Sequence, residues 1–95
     1  MKNHNDIEKC ELVFKSLSDS IRLNILLELN KKESICVCEL VEYFDMPQSK
    51  LSYHLKMLLD ANLIIKERQG KWNYYSINME ELEAFLSKEL ILKIF

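Results

Sequence analysis

Apolar residues along this chain recur at helical spacing in five stretches and read as strands in one region between them. Ile7, Cys10, Phe14 and Leu17 fall on one face of a first helix, and Asn5 with Glu8 three residues on supplies a capping pattern for its start. Ser18 and Asp19 end that helix and cap a second, in which Leu23, Leu26 and Leu27 are joined by Ile25 and Leu29. A helix apolar on more than one side belongs at the centre of a fold. After the polar stretch 30–34, Ile35 to Cys38 leads into a short third helix ending near Asp45. Met46-Pro47 turns the chain, with Pro47 suited to the first turn of a fourth helix that runs to about Asn62 and points Leu51, Leu55, Leu58 and Leu59 inward. Two short helices separated by a tight turn form a helix-turn-helix pattern.

Leu63 to Arg68 and Lys71 to Ile77 read as strands, the second carrying Trp72, Tyr74 and Tyr75. Gln69-Gly70 is the turn, and the single glycine of the chain sits where a hairpin needs a positive φ. Met79 to Phe95 closes the chain as one helix with Leu82, Phe85, Leu86, Leu90 and Ile94 on one side and Ile91, Leu92 and Phe95 widening it. The predicted fold is mainly α with a β-hairpin wing: four helices, the hairpin, then a fifth helix. It forms one domain over residues 1–95, with the helix-turn-helix at about 36–61 and the wing at about 63–77. So short a chain has little core left to cover the apolar faces of its first and last helices. A second copy is the simplest cover, which predicts a homodimer through those two helices.

Composition narrows the class. A hydrophobic fraction of 48% excludes disorder, and one Gly and one Pro exclude a loop-rich fold. The polar start has no signal-peptide core and no apolar run is long enough to span a bilayer, which predicts a cytoplasmic protein with no membrane partner. In that compartment the three cysteines are expected as free thiols or metal ligands, not disulfides. The net charge of −2 speaks against nucleic acid until its distribution is considered. Residues 46–78 carry Lys50, Lys56, Lys66, Arg68 and Lys71 against Asp60 and Glu67 only, between two acidic flanks. Local charge, not the total, attracts phosphates. The outward face of the fourth helix offers Gln48, Ser49, Ser52, Tyr53 and Lys56, gathered towards the end that a helix-turn-helix presents to base edges. Gln reads adenine bidentately, and Ser serves bases or phosphates. Lys66, Arg68, Gln69 and Lys71 on the hairpin suit phosphates or a minor groove.

Cys36-Val37-Cys38 carries the chemistry. Thiolates select soft ions such as Cu(I) or Zn(II), and a helix N-terminus favours the thiolate form. Residues two apart do not face each other in a regular helix, so both sulfurs reach one ion only if this turn is the loose start of the helix or distorts. The alternative is two small buried apolar residues, since free Cys is among the most buried types.

Leu17-Ser18-Asp19, Ile21-Arg22-Leu23, Cys36-Val37-Cys38-Glu39-Leu40, the run from Gln48 to Lys56, and Gly70-Lys71-Trp72-Asn73-Tyr74-Tyr75 together resemble the arsenical-resistance repressor family, the ArsR/SmtB type. The likeness covers about Leu17 to Ile77. It implies a winged-helix homodimer that represses its own resistance operon at a pseudo-palindromic double-stranded operator, needs no ion to bind DNA, and is released when a metal or metalloid binds. As(III) or Sb(III) is the implied inducer at Cys36 and Cys38, with Cd(II), Pb(II) or Zn(II) as further thiophilic candidates. Gln48, Ser49, Ser52 and His54 fall in the family's recognition-helix signature, where His54 either touches DNA or braces the helix. Ser20 and Pro47 depart from the family's usual Pro and Ser at two helix starts. The family's other common site, built of His and carboxylates on the last helix, lacks its His here, and Val41 stands where some arsenic sensors carry a third Cys. Cys10 is the one thiol left, either an auxiliary third ligand or a core residue.

Three rival functions differ in class. A thiol-redox or sulfur-responsive repressor of the same fold uses the cysteines without metal. A thiol enzyme is disfavoured by the lack of Cys-x-x-Cys, of a Gly-rich phosphate loop and of an acid–base cluster. An architectural DNA-binding protein has no use for the cysteines.

Overall fold

The computed structural model describes residues 4–95. In chain order the elements are α1 (His4–Leu17), α2 (Ser20–Lys31), β1 (Ile35–Cys36), α3 (Val37–Phe44), α4 (Gln48–Asp60), β2 (Ile64–Gln69), β3 (Trp72–Ile77), α5 (Met79–Phe85) and α6 (Lys88–Ile94). α1 starts ahead of the cap expected at Asn5, and that side chain lies outside the described residues. Asp19 caps α2 as its type predicts, its carboxylate accepting from the amides of Ile21 at 2.8 Å and Arg22 at 3.3 Å. α3 ends at Asp45, whose φ of 49° is a left-handed stop. Pro47 is the N-cap of α4 and stands just outside the helix.

α2 is the central element, packing against α1, α4 and β3. Its Ile25, Leu26 and Leu29 are buried with Leu40 of α3, Leu51, Leu55 and Leu58 of α4, and Leu63, Ile64 and Leu82. Each such side chain contributes about 1.5–3 kcal/mol over an exposed one. Leu23 and Leu27, on the flanks of the same helix, are only partly buried.

Two expectations are corrected. First, Ile35 and Cys36 form a strand, not the entry to a helix: Ile35 pairs with Tyr75 and Cys36 with Tyr74, giving an antiparallel sheet of order β1-β3-β2. Both residues are buried, and pairing with β3 satisfies backbone groups that a buried loop would leave open. Second, the last helix is two. Leu86 is extended (φ −121°, ψ 145°), and the Ser87 hydroxyl accepts from the Leu90 amide at 3.0 Å, so a serine that caps better than it continues restarts the helix. The apolar stripe on α1 stays partly open in the single chain, in line with the expectation that this short chain leaves that face uncovered. Val13 and Ser16 are fully buried, whereas Ile7 and Phe14 remain 62% and 49% exposed. The Ser16 and Lys15 carbonyls are held by Arg22 of α2, which fixes which side of α1 turns inward. Among the described residues no helix is long and apolar enough to cross a membrane.

Candidate functional site: nucleic-acid interface and thiol pair

Burial of Leu51, Leu55 and Leu58 on one side of α4 leaves Gln48, Ser49, Ser52, Tyr53 and Lys56 exposed on the other, Tyr53 to 59%. Lys56 lies 3.1 Å from Asp60 one turn on, an exposed pair that holds its ammonium near the helix surface. The hairpin is closed by Gly70 at φ 65°, with Gln69 paired to Trp72 across a two-residue turn. Its register opposes Lys66 to Tyr75 and Arg68 to Asn73, so these four share one face of the wing. Lys66, Asn73 and Tyr75 line a cleft of about 440 Å³ whose other wall is Ser52, Lys56 and Asp60 of α4. The basic face of the wing is therefore turned towards the recognition helix, and Glu67, Trp72 and Tyr74 occupy the opposite face. At the tip, Arg68 Nε donates to the Gly70 carbonyl at 3.0 Å, and Lys71 Nζ lies 5.7 Å from the Trp72 ring centre. Asn73 was missed as a candidate. Its signal was the period-two alternation from Tyr75, once the turn register was known.

His54 is not on this face. It is 5% exposed, and its Nδ1 lies 3.0 Å from Arg22 Nη1. Its assignment as a DNA-contacting residue is withdrawn in favour of the bracing alternative, because a ring turned into the core cannot reach a groove. Arginine has no lone pair and is always charged, so Nδ1 accepts and the imidazole is neutral. Burial depresses the His54 pKa. The Asp19 carboxylate pulls the other way, and the Arg22 and Lys50 charges add to the depression. Burial alone would raise the Asp19 carboxyl. The Arg22 and Ile21 amides and the Arg22 charge, joined by His54 once its ring is protonated, outweigh it and hold Asp19 below the ordinary carboxylate range. Tyr75, in the cleft wall, is pushed up by burial.

Cys36 and Cys38 converge. Cys36 ends β1 and is also the N-cap of α3, its extended backbone (φ −68°, ψ 144°) carrying Sγ back over the helix start, where it accepts from the Cys38 amide at 3.3 Å. The Cα atoms are 5.2 Å apart, and the two sulfurs are joined as a disulfide. Free thiols were the expectation. The strand-to-helix corner overrides the divergence that residues two apart show within a helix. Cys36 is 2% exposed and Cys38 is exposed, so the pair presents one sulfur to solvent and one to the core. Among the described residues no group of three His, Cys, Asp or Glu side chains comes together as a metal cluster. Cys10 is a free, half-buried thiol on α1. α1 packs mainly on α4 and α2, whereas α3 packs on β1, β3 and α4.

The family model for bacterial regulatory proteins of the arsR family matches residues 19–66. The arsenical resistance operon repressor of Bacillus subtilis (strain 168) is 55% identical over 88% of this chain and 80% of its own length. That of Escherichia coli (strain K12) is 39% identical over 70% of this chain and 56% of its own length. HlyU from Vibrio cholerae N16961 superposes with a TM-score of 0.77 at 25% identity, covering 98% of each chain. The relatives are regulators and not enzymes. The chain belongs to the arsR family of bacterial transcriptional regulators.

Proposed function

We propose that this protein is a repressor that holds operator DNA and releases it when trivalent arsenic binds Cys36 and Cys38. The observation that carries this is the convergence of those two sulfurs at the start of the helix that packs against the recognition helix. It is supported by relatives named as arsenical resistance operon repressors. In the reduced protein, As(OH)₃ and two thiols give a dithiolate–arsenic hydroxide and two waters; a third thiol replaces the last hydroxide and releases a third water. Sb(III) shares this chemistry, and Cd(II), Pb(II) or Zn(II) are ions the same thiolates accept. The third thiol is Cys10, from its own or the partner chain, or a small exogenous thiol.

DNA binding needs no ion. Gln48, Ser49 and Ser52 read or touch base edges, Tyr53 and Lys56 flank them, and Arg68 and Lys71 hold phosphates from the wing. Residues 1–95 act as a single winged-helix domain, in the cytoplasm, as a homodimer on a pseudo-palindrome whose half-sites are about 10 bp apart. The dimer reading is supported by the exposure of Ile7 and Phe14, and of Leu92 at 82%. Phe14 meets Phe85 edge to face at 6.5 Å, so the apolar surfaces of α1 and of the C-terminal helices adjoin. The test is release of the chain from its own upstream DNA under anaerobic, reducing conditions on adding As(III). Cys36→Ser with Cys38→Ser is expected to keep DNA binding and lose release. Release that persists in the double variant removes the site.

A second reading rests on the disulfide itself. A peroxide or disulfide oxidant that closes Cys36 to Cys38 takes two electrons and two protons from the thiols and leaves no ligand for arsenic. Titrating DNA binding with oxidant and, separately, with As(III) divides the two readings. Release by oxidant alone makes this a redox repressor.

A further inference from the structure

Arg22 is buried at the junction of three helices, and all three of its guanidinium nitrogens are engaged. Nε donates to the Ser16 carbonyl at 2.7 Å and Nη2 to the Lys15 carbonyl at 3.3 Å. Both carbonyls belong to the last turn of α1, and the Lys15 carbonyl also accepts from the Ser18 hydroxyl at 2.9 Å and the Ser18 amide at 3.3 Å. Two anchors fix the guanidinium plane, and the remaining Nη1 points at His54 Nδ1, 3.0 Å away on α4. Asp19, in the α1–α2 turn, binds the Arg22 amide and sets where the side chain begins. His54 lies two residues from both Ser52 and Lys56, which on a helix point nearly opposite to it. The direction of the His54 ring therefore sets the rotation of the α4 face that carries Ser52 and Lys56.

We propose that Arg22 is a positioning residue for the recognition helix, and that its bond to neutral His54 is a lock that opens when His54 gains a proton. The bond requires a lone pair on Nδ1. Protonation replaces it with an N–H facing an N–H, and sets two cations against each other in a buried contact. The charged groups bearing on the ring come from each side: Asp19 in the α1–α2 turn favours the proton, while Arg22 on α2 and Lys50 on α4 oppose it. α1 contributes the two carbonyl oxygens that keep Arg22 from swinging away. An added charge on α4 would strengthen general attraction to phosphates, so acid would weaken sequence-specific binding while sparing non-specific binding. This rests on the chain binding DNA through α4, and adds how that helix is aimed and when it is released.

The experiment uses the full chain and a duplex selected from a random-sequence library on the wild-type protein at about pH 7.5, with an unselected duplex as reference. The ratio of selected to unselected affinity is read down to about pH 5.5 at fixed ionic strength, with circular dichroism checking that the chain stays folded. Wild type is expected to lose the ratio by roughly tenfold, within the usual range of coupling between sites. His54→Asn places an oxygen near the position of Nδ1 that accepts from Arg22 and takes no proton. Its ratio is expected to stay flat over the same range. Arg22→Lys, which keeps the charge and loses the fork, is expected to lower the ratio already at pH 7.5. A wild-type ratio that is flat while the chain is folded overturns the proposal, as does His54→Asn falling as steeply as wild type. Failure to select any duplex would overturn the DNA reading itself, a different outcome from a flat ratio on a selected one.

Discussion

Cys36 and Tyr74 are register partners across the β1–β3 ladder, so the buried sulfur of the thiol pair stands on a strand joined to the wing. The same residue caps α3, which packs on α4. One atom thus sits where the two DNA-facing parts of the chain meet. On the proposed reading, an ion held by the reduced Cys36 and Cys38 acts on both.

A consequence follows for the wing. Trp72, the only tryptophan, begins β3 and is 46% exposed, so its emission reports on the hairpin. Adding As(III) to the reduced, DNA-free chain is expected to shift Trp72 fluorescence and alter amide exchange along β3, and to do neither after Cys36→Ser. Saturable arsenic binding with an unchanged β3 would mean that the signal runs through α3 alone.

On the DNA face, affinity and readout should separate. Lys71→Ala removes a wing cation and is expected to weaken binding to all duplexes and reduce the salt slope by about one. Gln48→Ala removes a base-reading group and is expected to relax preference at one position, at about 1–3 kcal/mol, with the salt slope intact. Asn73→Ala should resemble Gln48→Ala more than Lys71→Ala, because Asn73 is neutral and lines the cleft between α4 and the wing. Competition binding across single-base operator variants, at several salt concentrations, distinguishes the patterns. Identical profiles for all three would mean that the face has been misassigned.

The association surface is open to a similar test. Phe14→Glu or Leu92→Glu puts a charge on an exposed apolar position without touching the buried core. Each is expected to convert a dimer at micromolar concentration to monomer by sedimentation equilibrium, while circular dichroism stays close to wild type. Wild type sedimenting as a monomer would refute the dimer directly.

Stability should depend on pH through two groups with opposite charge and the same sign. His54 has a depressed pKa when folded, so the unfolded chain binds its proton first as pH falls below about 6.5, and stability declines from there. Asp19 is likewise depressed, so its contribution is complete above about pH 4 and is lost as acid protonates it in the native state. Asp19→Ala removes the α2 cap and should cost about 0.5–2 kcal/mol at neutral pH. For a domain of this size that is a fall in melting temperature of about 4–8 °C per kcal/mol. Denaturant melts of wild type and His54→Asn between about pH 7.5 and 5.5 check the first step, since the variant should lack it.

What was legible in the chain was what local chemistry dictates. The hairpin around one glycine, the Asp19 cap and the Leu51-Leu55-Leu58 stripe each depend on neighbours within a few residues; the cap and the stripe stand where they were expected, and the hairpin turn lies one residue further on, at Gly70-Lys71 instead of Gln69-Gly70. Cys36-Val37-Cys38 was recognisable as a pair, and Gln48, Ser49 and Ser52 as an outward face, for the same reason. Tertiary structure decided the rest. Ile35-Cys36 is too short to announce a strand and becomes one only because β3 offers a free edge. The cysteines converge because that strand turns straight into α3. The α1 stripe, although the most apolar side of its helix, stays partly open because Arg22 and the core claim Val13 and Ser16 instead. Periodicity finds the apolar side of a helix; it does not say which side the rest of the molecule will use. His54 shows the same limit in one residue: its place on α4 was plain, but its role depended on an arginine thirty-two positions away along the chain.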